Sequence, residues 1–183
     1  SDISFDEDGA GSTSLSASDV DGDALTFSIT GGNNITALLD GSDVSFSAPE
    51  NYNGSEEFTV SVTDGELIDT QTITVIVLAV NDAPVASAAS ATTNEDESVV
   101  VTLSGSDIDG DALTFSLDSD ASNGSVIISG TVATYTPNQD FNGDDSFTFS
   151  VSDGELSASA TVTLTVTAVN DAPVLASVSN VSF

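Results

Sequence analysis

The nine residues Asp19-Val20-Asp21-Gly22-Asp23-Ala24-Leu25-Thr26-Phe27 return as Asp107-Ile108-Asp109-Gly110-Asp111-Ala112-Leu113-Thr114-Phe115, 88 residues further on. The echo continues along the chain. Asn51-Tyr52-Asn53-Gly54 matches Asp140-Phe141-Asn142-Gly143, Phe58–Leu67 matches Phe147–Leu156, and Ala79-Val80-Asn81-Asp82-Ala83-Pro84-Val85 matches Ala168-Val169-Asn170-Asp171-Ala172-Pro173-Val174. These later pairs lie 89 apart, so one residue was gained between Asp111 and Asp140. The fold must therefore be made twice, and a module of this size buries roughly 60% of its unfolded surface, enough for one modest core. The expected division is repeat 1 over 1–82 and repeat 2 over 83–172. Residues 173–183 are expected to open a following repeat or to act as a donated strand, because Ser179–Phe183 resembles Ser1–Phe5. That surplus at one end, with a matching deficit at the other, reads as a piece of a longer polymer, continuous or joined head to tail by strand donation.

The hydrophobic pattern has a period of two. Thr161–Thr167 alternates Thr with Val162, Leu164 and Val166, and Phe147, Phe149 and Val151 alternate with Ser and Thr. Both are the signature of a strand with one wet face. Asp153-Gly154 follows the second as a turn pair suited to positive φ. No window keeps a helical period over three turns. About seven short strands per repeat, divided by turn residues, predict an all-β fold: tandem Greek-key β-sandwiches of immunoglobulin type, two domains in an elongated rod.

Charge excludes much. There are 30 Asp and Glu residues and no Lys, Arg or His, a formal charge of −30. No side-chain ion pair can form, and nothing can neutralise a phosphate, so neither nucleic acid nor an anionic membrane is an expected partner. No apolar stretch approaches the roughly 20 residues of a membrane span, so no direct insertion is expected. Without His or Cys, zinc, haem and iron–sulfur ligation, thiol nucleophiles and Ser–His catalysis are excluded. A glycosidase would need a general acid in an apolar pocket, which nothing in the sequence supplies, so no enzyme is expected. A hydrophobic content of 39%, largely Val, Ile, Leu and Phe, separates the chain from disordered acidic tails.

Asp-x-Asp in a turning backbone brings two carboxylates within reach of one ion. Calcium takes six to eight oxygens, mostly carboxylate and carbonyl. Two bare carboxylates 4 Å apart repel by about 1 kcal/mol in water and more when partly buried, so a hard cation is the expected occupant. An EF-hand does not fit: its Gly and Glu positions, counted from Asp107, hold Ala112 and Asp118.

Taken together, an early Glu (Glu7, Glu95), Asp-x-Asp (Asp19 and Asp21; Asp107 and Asp109), Ser/Thr-Asp-Gly (Asp64, Asp153) and a junctional Asn-Asp-Ala-Pro (Asn81 and Asp82; Asn170 and Asp171) resemble the cadherin-like tandem domains of large bacterial surface and secreted proteins. In cadherins calcium lies between consecutive domains. The resemblance implies one Ca²⁺ site from Glu7, Asn81, Asp82, Asp107, Asp109 and Asp153. It also implies two half-sites, one of Asp19, Asp21 and Asp64 and one of Glu95, Asn170 and Asp171, each facing a neighbouring copy. Ala79 stands where the family linker usually has another Asp, and the mid-domain Leu-Asp-Arg-Glu motif is missing, which implies one or two ions per junction. Asp23 and Asp111 are either further ligands or turn residues.

The expected function is a calcium-rigidified extracellular stalk, fibre or adhesin extender whose partners are neighbouring copies, head to tail. Ile76 and Leu78 replace Thr165 and Thr167 on a face expected to be wet and are candidates for lateral fibre contacts. The alternative is a glycan- or protein-binding adhesion module using the variable stretches 30–43 and 117–130. The scarcity of aromatics and the absence of Trp weigh against it.

Overall fold

The computed structural model describes residues 2–175 and 177. Every regular element among them is a strand. The chain forms two compact units, Ser1–Val80 and Asn81–Phe183.

Unit 1 contains β1 (Ile3–Asp6), β2 (Ala10–Ser14), β3 (Thr26–Gly31), β4 (Thr36–Asp40), β5 (Asp43–Ser47), β6 (Gly54–Thr63) and β7 (Ile68–Leu78). They form one sheet in the order β1-β7-β6-β3 and another in the order β2-β5-β4. The chain crosses between the sheets at every step except β4–β5 and β6–β7, which are antiparallel neighbours within one sheet. The core follows directly from the alternation in sequence. Val75 and Val77 on β7, Phe58 on β6, and Val44 and Phe46 on β5 are all almost completely buried, with Phe46 meeting Phe58 edge to face. β1 runs parallel to β7, with Ile3 opposite Val75 and Asp6 opposite Leu78.

Unit 2 repeats the plan with β8 (Val85–Ser87), β9 (Ala89–Asn94), β10 (Val99–Thr102), β11 (Ser104–Ser106), β12 (Thr114–Ser119), β13 (Gly124–Ser129), β14 (Val132–Pro137), β15 (Gly143–Ser152) and β16 (Ser157–Thr167). Its sheets are β12-β15-β16-β9 and β10-β14-β13, with β8 paired antiparallel to β11. β9 takes the place of β1, parallel to the last strand. Tyr135, Phe147, Phe149, Val151, Val162 and Leu164 form the centre of this core.

The stretches 30–43 and 117–130, expected as variable loops, are largely strand: β4 and the start of β5 in one, β13 in the other. A buttressing carboxylate explains why they are shaped rather than free. Glu56 accepts hydrogen bonds from the backbone N–H groups of Asn33 (2.6 Å), Asn34 (2.9 Å) and Ile35 (3.0 Å), and from the Asn34 amide and the Tyr52 hydroxyl. Gly32, at φ +74°, permits this turn, since a Cβ there would come within 2.5 Å of the Phe58 ring. Burial pushes the Glu56 carboxyl up, but the three backbone donors and Asn34 outweigh it and hold the pKa at about 2. Repeat 2 uses Asp145, which accepts from Ser122 N, Asn123 N, Ser146 N and the Tyr135 hydroxyl. Burial raises the Asp145 carboxyl as well; the donors, led by Ser146 N and Asn123 N, bring it below the ordinary range.

Ile76 lies opposite Ser4 and Ser55, and Leu78 opposite Asp6. Leu78 is 46% exposed, and Ile76 is half-buried.

Candidate metal centre

Each Asp-x-Asp-Gly-Asp segment forms a turn centred on its own first carboxylate. Asp107 Oδ1 accepts from the backbone N–H groups of Asp109 (3.0 Å) and Asp111 (3.2 Å). Asp19 Oδ1 does the same for Asp21 (2.8 Å) and Asp23 (3.1 Å). The reversal needs Gly110 and Gly22 at φ +82° and +83°, a region that other residues enter only at a cost. One carboxylate oxygen is thereby used for the turn, and the other remains. Asp107 Oδ2 is buried with no hydrogen-bond partner. Oxygens of Asp107, Asp109 and Asp111 lie within 4.8 Å of one another.

Of three further predicted residues of unit 2, Asp82 joins this turn, and Asn81 joins Asp153. Asp109 Oδ2 accepts from the backbone N–H of Asp82 at 2.9 Å. The Asn81 amide donates to Asp153 Oδ2 at 2.9 Å. Asp153 Oδ1 accepts from Glu155 N and Leu156 N, both at 2.7 Å, closing the Asp153-Gly154 turn. The Asn81 amide, then the Leu156 and Glu155 N–H groups, hold the Asp153 carboxyl below its usual range. In unit 1, Asp64 is capped alike by Leu67 N and Glu66 N and is likewise lowered.

The early glutamates have a distinct task in their own units. Glu7 is 5% exposed and Glu95 6% exposed. Glu7 donates its N–H to Leu78 O and accepts at Oε1 from Val80 N (2.6 Å), fastening the end of β7 to the start of the repeat. Glu95 treats Thr167 O and Val169 N in the same way, and its Oε2 also accepts from Asn142. Glu7 Oε2 is buried without a hydrogen-bond partner.

Near Glu95 there is a carboxylate group that sequence reading recognised only in part. Asp171 was expected there; Asp96 and Asp140 were not. Oxygens of all three lie within 4.8 Å of one another. Asp140 N donates to Asp96 Oδ1 (3.2 Å), and Asn51 N donates to Asp8 Oδ1 (3.0 Å) at the equivalent place in repeat 1. All four residues have φ between 56° and 61°. The signal available in sequence was Asp directly after the early Glu in both repeats. Desolvation, then the charges of Asp140, Glu95 and Asp96, push the Asp171 carboxyl up. The Asn170 amide donates to the Asp171 carbonyl (3.2 Å).

Chemically, both groups of unit 2 are all-oxygen, anionic and closely spaced. Such sets are disfavoured when bare and suit a hard divalent cation.

The sequence matches the family described as Bacterial Ig domain over residues 1–76 and again over 81–167. No curated protein sequence matches the chain. Among solved structures, the first two cadherin repeats of human protocadherin-24 align at 18% identity with a TM-score of 0.58, covering 88% of each chain. An endo-fucoidan hydrolase of glycoside hydrolase family 107 aligns at 26% identity with a TM-score of 0.41, covering 82% of this chain. The chain spans 24% of the length of that hydrolase.

Proposed function

This chain belongs to the bacterial Ig domain family, as two consecutive cadherin-like repeats, and from that premise we propose a calcium-stiffened extracellular spacer. Its role is mechanical, as a length of stalk, fibre or adhesin extender in which like units follow one another head to tail. The observation that carries this reading is the Asp107-Asp109-Asp111 group, with Asp107 Oδ2 buried and without a hydrogen-bond partner. An oxygen-only donor set fits calcium and fits neither zinc nor copper.

Asn81 and Asp82 belong to the segment that enters repeat 2, while Asp107, Asp109 and Asp153 belong to its body. The bond from Asp82 N to Asp109 and that from the Asn81 amide to Asp153 support this reading. A bound calcium would supply shared coordination where bare carboxylates repel. Glu7 is proposed as a further ligand from the preceding repeat. Asp19, Asp21 and Asp64 at one end, and Glu95, Asn170 and Asp171 at the other, are proposed to serve neighbouring copies in the same way. For extracellular modules calcium Kd values are around 10⁻⁴–10⁻³ M. At ten to a hundred times Kd each ion stabilises the bound state by roughly 1.4–2.7 kcal/mol. Sites of that affinity would fill outside cells and stay empty in cytosol, as the proposed extracellular role requires.

The test is a calcium titration with chelator reversal, followed by small-angle scattering and by amide exchange over residues 81–84. Calcium should slow exchange there and reduce the spread of particle dimensions. Identical exchange and scattering with and without calcium would refute the proposal.

A further inference from the structure

Residues 121–139 are the longest stretch of the chain without Asp or Glu, and they build the β13–β14 hairpin. With β10 this hairpin makes a three-stranded sheet whose strands contain no carboxylate at all. The inward side chains Val101, Val126, Ala133 and Tyr135 are buried in the core and hold the sheet firm. Outward, the central cross-strand row is Val100-Thr134-Ile127, with Val100 62% and Ile127 72% exposed. The rows on either side add Val132 and otherwise only Ser and Thr. Charge stands at the border: Asp120 Oδ1 accepts from Val126 N (2.9 Å) at the free edge of β13. The outer face of the other sheet differs, since it carries Asp118 and Asp144, each accepting from a Thr hydroxyl.

A chain of charge −30 with no basic side chain is repelled by its own kind wherever carboxylates would meet. A charge-free face lets two copies touch without that cost. A cationic partner gains nothing there and would be drawn to the carboxylates instead. We propose that this outer face packs against the same face of a second copy, side by side. The two-fold axis runs along β14, so that Val100 of each copy lies over Ile127 of the other, an isologous contact between aligned sheets. Three strands about 4.8 Å apart and five residues at about 3.4 Å give roughly 250 Å², well under the about 800 Å² per partner of a stable dimer. One pair of faces is therefore weak, with Kd near 1 mM, and it counts where chains already lie together. In repeat 1 Leu38, 68% exposed, stands in the place of Ile127, in a row with Ser45 and Ser12. Asp40 and Asp43 fill the next row there, which makes repeat 2 the better surface.

This lateral contact goes beyond the spacer reading and needs no metal, so it is tested on the full chain in chelator. Amide NMR spectra are recorded up to about 1 mM protein, in low salt and in about 1 M NaCl, where the screening length falls to about 3 Å. The expected result is concentration-dependent shifts confined to β10, β13 and β14, growing with salt as like-charge repulsion is screened. Ile127→Asp, at an exposed position, should weaken the association at least about tenfold, because it sets a carboxylate in the seam. Thr134→Val should strengthen it. Thr161→Asp, on the outer face of the other sheet, should change the salt-screened association little. Shifts absent at about 1 M salt, centred on another face, or unchanged by Ile127→Asp would overturn the contact. Shifts in the backbone of β13 without those of β10 would do so too, since they mean pairing edge to edge.

Discussion

Glu56 is the residue on which the shape of the β3–β4 turn depends, and Glu56→Gln isolates its contribution. Glutamine keeps the length and one acceptor oxygen but loses the charge and the second acceptor, while four nitrogen donors still converge on the site. The folded carboxyl titrates at about 2 against an ordinary 4.5. At 1.36 kcal/mol per pKa unit that difference corresponds to roughly 3 kcal/mol as an upper bound. Glu56 is only half-buried, and solvent screening reduces the figure to about 1–2 kcal/mol. Because the folded pKa is depressed, this stability is complete above pH 4.5 and is lost as pH falls toward 2. The variant should therefore unfold at lower urea at pH 7, with repeat 1 destabilised by about 1–2 kcal/mol. The gap to the unaltered chain should shrink steadily below pH 4.5 and nearly vanish at pH 2. Every other carboxylate titrates in both proteins, so the difference between them belongs to Glu56. Amide exchange of β6 assigns the unfolding to repeat 1. An equal gap at pH 7 and pH 2, or none at pH 7, would refute the argument.

Other outcomes follow from the same geometry. Desolvation, then the hydrogen bond and charge of Asp145, push the Tyr135 phenol above its ordinary range. Tyr135→Phe should cost repeat 2 about 1–2 kcal/mol in urea unfolding. That loss should hold up to about pH 10, the ordinary phenol value, and shrink progressively as pH rises above it toward the raised folded value. Asp107→Asn keeps an acceptor for Asp109 N and Asp111 N yet removes one charge. It should weaken calcium binding about tenfold or more by calorimetry with little change in melting. Gly110→Ala, at φ +82°, should destabilise repeat 2 by about 1 kcal/mol or more in denaturant. Adding calcium should return the raised Asp171 carboxyl toward its ordinary value, read by carbon NMR of the side chain.

The two-unit plan and most strands were legible because both depend on local pattern. Alternation along residues 161–167 marks β16, and the 88-residue echo fixes the number of folds. Asp107 and Asp109 were legible because Asp-x-Asp-Gly-Asp makes its own turn. What depended on distant pairing was hidden. Asp140 reaches Asp96 across 44 residues, and only the joint fold of β9 and the β14–β15 turn makes them neighbours. Glu56 and Asp145 carry no local signal, since the turns they buttress lie more than twenty positions away. The stretches read as recognition loops became hairpin arms for that reason.

In both units the first strand beside β7 or β16 runs parallel to that last strand. Tension applied through the two ends of such a unit slides these strands along their common axis. Their hydrogen bonds then bear load side by side instead of tearing one after another, as they would in a terminal hairpin. A module wired in this manner is expected to yield late and abruptly under traction.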